Sequence, residues 1–148
     1  QLHLEFREPA EIKGSNQTRG NSGIWFMSNY ELQILDNTAK QYAELQPYQY
    51  HGSVYGIIPA KREFLKPVGE WNQEEVIAVG NHIRVILNGE IIVDGDIAEA
   101  TKNGTPDHKE HPGLFNKTGH IGFLGHGSEL RFRNLRILEN PVVKKWKK

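Results

Sequence analysis

The side chains best suited to proton transfer lie in two short segments of the chain. Residues 30–36 read YELQILD, and an extended strand would place the carboxylate of Glu31 and the amide of Gln33 on one face. His126 stands between two glycines after an apolar run, which leaves its imidazole accessible. A carboxylate and an imidazole are common acids and bases near neutral pH, so these segments predict general acid–base chemistry. The alternatives are a solvated strand face and an ordinary exposed loop histidine.

Two further segments carry charged side chains in alternating positions. Glu5 and Arg7 share one face of residues 2–7, and Arg131 and Arg133 alternate with apolar neighbours. Guanidinium groups in such positions could bind a polar or anionic ligand, or they could form cross-strand ion pairs with the glutamates. We predict that the following side chains converge on one concave surface: Glu5, Arg7, Glu31, Gln33, His126 and Arg131.

The composition excludes several classes of protein. The chain has 148 residues, a formal net charge of zero and no cysteine. Zero net charge disfavours non-specific binding to nucleic acid, and the lack of cysteine excludes disulfides and thiolate chemistry. No apolar run is long enough to span a bilayer, so we expect no membrane insertion. Residues 140–148, in which four lysines surround Trp146, are interpreted as a basic C-terminal tail.

Short strands separated by turns are predicted along most of the chain. Asn88-Gly89 is the strongest hairpin signal, because both residues tolerate positive φ. Many short strands without a long helix indicate an all-β sandwich of two antiparallel sheets, built as a single domain over residues 1–139. The pattern does not separate immunoglobulin-like from jelly-roll topology. A polar loop is predicted over residues 97–118, a tight turn near Ser28-Asn29 and a helical turn at residues 41–45. The predicted strands cover residues 2–7, 23–27, 30–35, 54–58, 75–79, 82–87, 90–93, 120–124 and 130–138.

Six motifs in order resemble those of the 3-keto-disaccharide hydrolase family. The resemblance covers residues 2–138 and implies a concanavalin A-like jelly-roll sandwich with a carbohydrate ligand. Members of that family usually have further strands before the segment that matches residues 2–7. We therefore expect either a fragment or another element over the exposed edge, since an unpaired edge invites aggregation. The motifs are residues 21–24 (NSGI) with 30–36 (YELQILD), 52–56 (GSVYG), 66–72 (KPVGEWN), 87–89 (LNG), 119–127 (GHIGFLGHG) and 130–137 (LRFRNLRI).

The resemblance implies cleavage of glycosides that carry a ketone at C3, in a bacterial protein of the periplasm or the exterior. A ketone at C3 acidifies the hydrogen on C2, so a base can remove it and the C1 substituent can leave; water then adds back. We predict Glu31 as the base and His126 as the second catalytic group. The predicted substrate-binding residues are Glu5, Arg7, Gln33, Tyr55, Arg131 and Arg133.

Aromatic side chains and metal ligands leave alternatives open. Tyr55, within residues 52–56, is predicted to line the rim of the site, whereas Trp71 could stack on a sugar or anchor the core. A divalent cation held by Glu31 and His126 would stabilise an enolate. The sequence leaves the metal unknown, requires no other cofactor and does not determine the oligomeric state. The residues Asp107, His108, Glu110 and His111 lie in a polar loop without metal-site spacing.

The spacing of Glu31, Gln33 and Asp36 is similar to the E-x-D-x-x-E strand of retaining glucanases with the same fold. Those enzymes use two carboxylates as nucleophile and acid/base. A glutamine in the middle and a shorter aspartate at the end disfavour that mechanism here. Three functions therefore stay open: cleavage of 3-keto-glycosides, a non-catalytic carbohydrate-binding or interaction module, and a glycosidase acting on unoxidised sugar.

Overall fold

The computed structural model describes residues 1–10, 20–27 and 30–140, which form two antiparallel β-sheets. Their elements, in chain order, are β1 (Leu2–Arg7), β2 (Asn21–Phe26), β3 (Tyr30–Leu35), β4 (Asn72–Val79), β5 (His82–Leu87), β6 (Glu90–Asp96), α1 (Ile97–Thr101), β7 (Gly122–Gly125) and β8 (Arg131–Ile137). The larger sheet has the order β6-β5-β4-β1-β8 and the smaller sheet β3-β2-β7. The expected all-β sandwich of the concanavalin A type is thus confirmed.

Apolar side chains at alternating strand positions fill the core between the two sheets. Leu2, Leu4 and Phe6 of β1 point inward, as do Leu32 and Ile34 of β3, and none of the five is more than 1% exposed. Burying each such side chain contributes about 1.5–3 kcal/mol. Because strand side chains alternate, the residues between them must face outward, and these are the polar residues singled out by the sequence.

The predicted hairpin at Asn88-Gly89 joins β5 to β6. Both residues have positive φ, 51° and 93°, as a type I′ turn requires. The side chain of Asn88 also fastens the neighbouring loop, because its Nδ2 donates to the backbone oxygen of Phe64 and to Oδ1 of Asn72, each at 2.8 Å. The turn therefore sets the register of the hairpin and holds the chain that enters β4.

One polar pair is buried within the apolar core. Nε2 of His51 lies 3.4 Å from Oε2 of Glu74, and the two side chains are 1% and 0% exposed. The backbone N–H of Leu35 donates to Nδ1 of His51, which leaves the ring proton on Nε2, facing the carboxylate. Phe6 packs against the imidazole with ring centroids 5.0 Å apart. Removing either partner would leave the other polar group buried alone, a costly arrangement.

The predicted strand over residues 54–58 is reduced to isolated bridges. Val54 pairs with Leu32 of β3 on one side and with Ile58 on the other. Gly56 turns the chain between the two bridges with a φ of 76°. The segment therefore borders the free edge of β3 and then folds back on itself.

Helical structure differs in detail from the prediction. Residues 97–118 were expected to be a loop, but α1 begins there because Oδ1 of Asp96 accepts from the backbone N–H of Glu99 at 3.0 Å. The helical turn expected at residues 41–45 is a 3-10 helix at Lys40–Tyr42, followed by a second at Pro47–Gln49. The turn expected near Ser28-Asn29 lies outside the described residues, as do residues 141–148 of the basic tail.

The edge formed by β7 and β8 is apolar. Within the described residues, β7 pairs only with β2 and β8 only with β1. The large apolar side chains exposed along this side are between 37% and 62% accessible, and no described strand covers them. They are Ile121, Phe123, Leu135, Ile137 and Leu138. In the described part of the chain, no helix has the length and apolar character needed to cross a membrane.

Candidate functional site

The outer face of the smaller sheet presents Glu31 and Gln33. Their neighbours Leu32 and Ile34 are buried, so the alternation of β3 turns both polar side chains outward. The register with β2 places Trp25 opposite Glu31 and Gly23 opposite Gln33.

Beside these residues lies a cavity of about 230 Å³, called here the Glu31 pocket. It brings together four residues that the sequence singled out: Glu31, Gln33, Tyr55 and His126. Glu31 and His126 thus face the same space rather than opposite sides of the sandwich. The full lining is Asn21, Glu31, Gln33, Leu35, Tyr42, Leu45, Gln49, Tyr55 and His126.

The carboxyl group of Glu31 has a raised pKa in this pocket. No described residue forms an ion pair or hydrogen bond with its carboxylate, and burial raises its pKa to about 7. The side chain lies across Gly23, where a Cβ would come within 2.3 Å of Oε1. A carboxyl group with a pKa near neutrality can both accept and release a proton, as a general base requires.

Gln33 is held rigidly beside Glu31. Its Nε2 donates to Oδ1 of Asn21 at 2.7 Å and to the backbone oxygen of Ile34 at 3.1 Å. Its backbone N–H donates to the oxygen of Ser53 at 3.0 Å, and its backbone oxygen accepts from the N–H of Gly52 at 2.7 Å. The amide therefore forms a fixed wall of the pocket.

Tyr55 and His126 approach the pocket from two different loops. The backbone N–H of Tyr55 donates to the oxygen of Glu31 at 2.9 Å, and the Tyr55 hydroxyl accepts from Nε2 of Gln49 at 2.8 Å. His126 follows β7 in a turn that is tied to β2, because Oγ of Ser128 accepts from the backbone N–H of Asn21 at 3.2 Å. Both loops are thus fastened to the smaller sheet, the Tyr55 loop at β3 and the His126 turn at β2.

Glu5 and Arg133 are not in the Glu31 pocket. Nε of Arg133 donates to Oε2 of Glu5 at 2.6 Å, and Nδ2 of Asn134 donates to Oε1 at 3.0 Å. The Arg133 hydrogen bond lowers the pKa of Glu5. Both residues lie on the outer face of the larger sheet because β1 pairs with β4 and β8, not with β3. Arg133 also stacks on Trp71, with its guanidinium carbon 3.9 Å from the ring centroid.

Arg7 and Arg131 line a separate cavity of about 490 Å³. Gly127, next to His126, borders this second cavity, so the two cavities flank one turn. Nε and Nη2 of Arg131 both donate to Oε1 of Glu129, at 2.9 and 2.8 Å. The prediction of one convergent surface is therefore wrong in that form. Glu31, Gln33 and His126 come together in the Glu31 pocket. The other three predicted residues are all on the larger sheet, where Arg7 and Arg131 line the neighbouring cavity and Glu5 does not.

Asp36 does not form a carboxylate pair with Glu31 in the pocket. Its Oδ1 accepts from the backbone N–H of Thr38 at 3.0 Å and from the Thr38 hydroxyl at 2.5 Å, and only 3% of the residue is exposed. This arrangement stabilises the turn after β3. The glucanase mechanism, which needs two facing carboxylates, gains no support from the described geometry.

Trp25 was not among the residues that the sequence patterns indicated. Its neighbours Ile24 and Phe26 are buried, but the Trp25 side chain faces outward and is 45% exposed. The signal was present in residues 21–26, where the alternation places a large aromatic on the polar face.

Metal ligands are sparse around the pocket. Among the described residues, no group of three or more His, Asp or Glu side chains is arranged to hold a metal ion. In the polar loop, His111 is paired with Asp107 at 3.1 Å. Glu31 and His126 are two donors that face one pocket.

Comparison with known proteins identifies related sequences and folds. Residues 1–138 match the family described as the 3-keto-alpha-glucoside-1,2-lyase-like domain. A 3-keto-disaccharide hydrolase of Bacteroides thetaiotaomicron is 29% identical over 128 residues, which cover 76% of this chain and 44% of that protein. The chain therefore spans less than half the length of this curated relative.

Two solved structures from Parabacteroides distasonis, provisionally named glycosyl hydrolases, have the same fold. The first is 27% identical with a TM-score of 0.66 and the second 28% identical with a TM-score of 0.68. Each alignment covers 90% of this chain, and they cover 74% and 61% of the respective relatives.

Proposed function

The chain belongs to the family of 3-keto-alpha-glucoside-1,2-lyase-like domains, and we propose that it cleaves glycosides oxidised to a ketone at C3. The observation that supports this most directly is Glu31, whose carboxyl group has no partner among the described residues, has a pKa of about 7 and lies in a pocket shared with His126. The names of its relatives support glycoside cleavage in general. The more specific part of the proposal is that the glycoside carries a ketone at C3.

Glu31 is proposed as the base that removes the C2 proton. The electrons of the C2–H bond form an enolate with the C3 carbonyl. As the carbonyl reforms, a C1–C2 double bond is made and the C1–O bond breaks. His126 lies in the same pocket and donates a proton to the departing oxygen. Addition of water across the C1–C2 double bond then completes net hydrolysis.

Tyr55 is proposed to stabilise the enolate oxygen. Its hydroxyl oxygen already accepts from Gln49, so the hydroxyl hydrogen is left to donate into the pocket. A donor fixed before the reaction stabilises developing negative charge at little reorganisation cost. Gln33, locked by Asn21, limits where the sugar can lie relative to Glu31.

A paired assay tests this function. The protein is incubated with a neutral glucoside and with the same glucoside oxidised at C3, each with added divalent metal and with a chelator. We expect release of the aglycone from the 3-keto form alone. Release from both forms would favour a glycosidase for unoxidised sugars, and binding without release from either would favour a carbohydrate-binding module. The chelator arm shows whether a divalent cation is required. The periplasmic or secreted location stays a prediction.

A further inference from the structure

Trp25 is a large apolar side chain on an otherwise polar site face. It is 45% exposed, whereas Ile24 and Phe26 on either side are 0% and 5% exposed. A single exposed apolar residue is common on protein surfaces and is not by itself a binding site. Trp25 is distinguished by its position relative to Glu31.

Trp25 lies directly opposite Glu31 in the β2–β3 ladder. Directly opposite residues have Cβ atoms about 4.5–5.5 Å apart and point to the same face. The Glu31 side chain leans over Gly23 instead of covering the indole, because Gly23 has no Cβ to prevent it. The carboxylate thus lies over Gly23, two residues from Trp25 along β2, and the indole stands on the same face of the sheet just outside the lining of the Glu31 pocket.

The other flank of Trp25 is open. Its partner on β7 is Gly122, and a Cβ at Gly122 would meet nothing within 4 Å. Trp25 thus has Glu31 as its neighbour on one strand and, on the next strand, a glycine with empty space above it.

We propose that Trp25 is a binding platform on which the oxidised pyranose ring of the substrate packs while Glu31 takes its C2 proton. This inference rests on the proposed function and adds the residue that positions the sugar. The C–H groups of a pyranose form an apolar surface, and an indole offers the largest apolar face of any side chain. For proton transfer C2 must lie about 3–3.5 Å from the carboxylate, so the ring extends over the neighbouring side chain.

Kinetics provide the first test. Trp25→Ala should lower kcat/KM for a 3-keto-glucoside about 3- to 10-fold, chiefly through KM, because the variant loses the apolar face on which the ring packs. Trp25→Phe should restore most of the loss because a phenyl ring keeps an aromatic face. Phe115→Ala is the matched control, since Phe115 is also an exposed aromatic, 53% accessible, but lines a different cavity. It should leave kcat/KM unchanged.

Fluorescence provides a test that is independent of turnover. The chain has three tryptophans, Trp25, Trp71 and Trp146, and Glu31→Gln keeps the pocket filled while blocking the base. Adding the 3-keto-glucoside to Glu31→Gln should change the emission, and adding Trp25→Phe to that variant should abolish the change. Thermal unfolding of each variant checks that the fold is kept.

The outcomes separate this inference from the proposed function. Turnover that depends on Glu31, with Trp25→Ala equal to the unmodified chain and an unchanged emission response in Trp25→Phe, would overturn the platform and leave the function standing. An emission response that requires Trp25, without turnover of any 3-keto-glycoside, would overturn the function and support a sugar platform.

Discussion

Glu5 and Glu31 are the same residue type on the outer faces of two strands, yet their surroundings give them opposite properties. Glu5 faces Arg133, and the hydrogen bond from that guanidinium lowers the pKa of Glu5. Glu31 is paired with Trp25 in the ladder and lies over a glycine, no cation among the described residues contacts it, and burial raises its pKa to about 7. The residue opposite the glutamate on the neighbouring strand thus decides whether its carboxyl group stays ionised or can exchange a proton near neutral pH.

Replacing Glu31 should have the largest effect on turnover. Glu31→Gln keeps the size of the side chain but loses proton affinity, so kcat for a 3-keto-glucoside should fall by about 10²–10⁴. Binding of the substrate, measured by titration, should change far less. A variant that keeps full turnover and is merely altered in stability would make Glu31 structural and His126 the leading base.

Gly23→Ala tests whether the position of the Glu31 carboxylate matters. The new Cβ would lie 2.3 Å from Oε1, so the side chain must swing away. Because the displaced atoms are the end of a flexible side chain, we expect a small change in stability. A misplaced base can reduce turnover by up to about 10²-fold. Steady-state kinetics and thermal unfolding on the same variant check this, and unchanged kinetics would show that the geometry over Gly23 is unimportant.

The pH dependence of activity and stability should follow the raised pKa of Glu31. A base works as the carboxylate, so kcat/KM should rise with pH and level off above about 7. The proton is bound more tightly in the folded state than in the unfolded state, where the pKa is near 4.5. Its stabilising contribution is therefore full below about pH 4.5 and is lost as the pH rises to about 7.

Glu31→Gln should remove this dependence, which gives a matched control for stability. Chemical unfolding across the same pH range should show the variant to be more stable than the unmodified chain above about pH 7. Equal slopes of unfolding free energy against pH in the two proteins would contradict the raised pKa.

Glu5→Gln should have the smallest effect on turnover. The variant loses the ion pair with Arg133 on the outer face of the larger sheet, away from the Glu31 pocket. The pKa of Glu5 is lowered in the folded state, so its contribution to stability is present above about pH 4 and is lost as the pH falls further. Unfolding near neutral pH should therefore show a less stable variant and acidic conditions a smaller difference. A turnover defect as large as that of Glu31→Gln would place Glu5 in the catalytic site.

The local structure was largely predictable from sequence. Period-two alternation located β1 and β3 and told which side chains face outward, and Asn88-Gly89 located its hairpin. These signals are local, since they depend only on neighbouring residues. The motif order suggested Glu31 and His126, which the fold places around one pocket.

Strand pairing was not predictable in the same way. Glu5 and Arg7 were expected beside Glu31 if β1 neighboured β3, but β1 lies in the other sheet. Alternation states which face a residue occupies, not which strand is next to it, because pairing depends on contacts between distant segments. Trp25 was missed for a related reason: the role proposed for it depends on its partner in the ladder, Glu31.

The pairing of β1 with β8 has a consequence for how the molecule folds. Leu2 lies opposite Ile137 and Arg7 opposite Arg131, so the larger sheet joins segments more than a hundred residues apart in sequence. Such non-local pairing slows folding, and domains of this kind typically fold in milliseconds to seconds. During synthesis β1 is made long before β8, so the edge of β1 that pairs with β8 stays unpaired until β8 has been made. Refolding yield should therefore depend on protein concentration, because intermolecular pairing at that edge competes with the late arrival of β8.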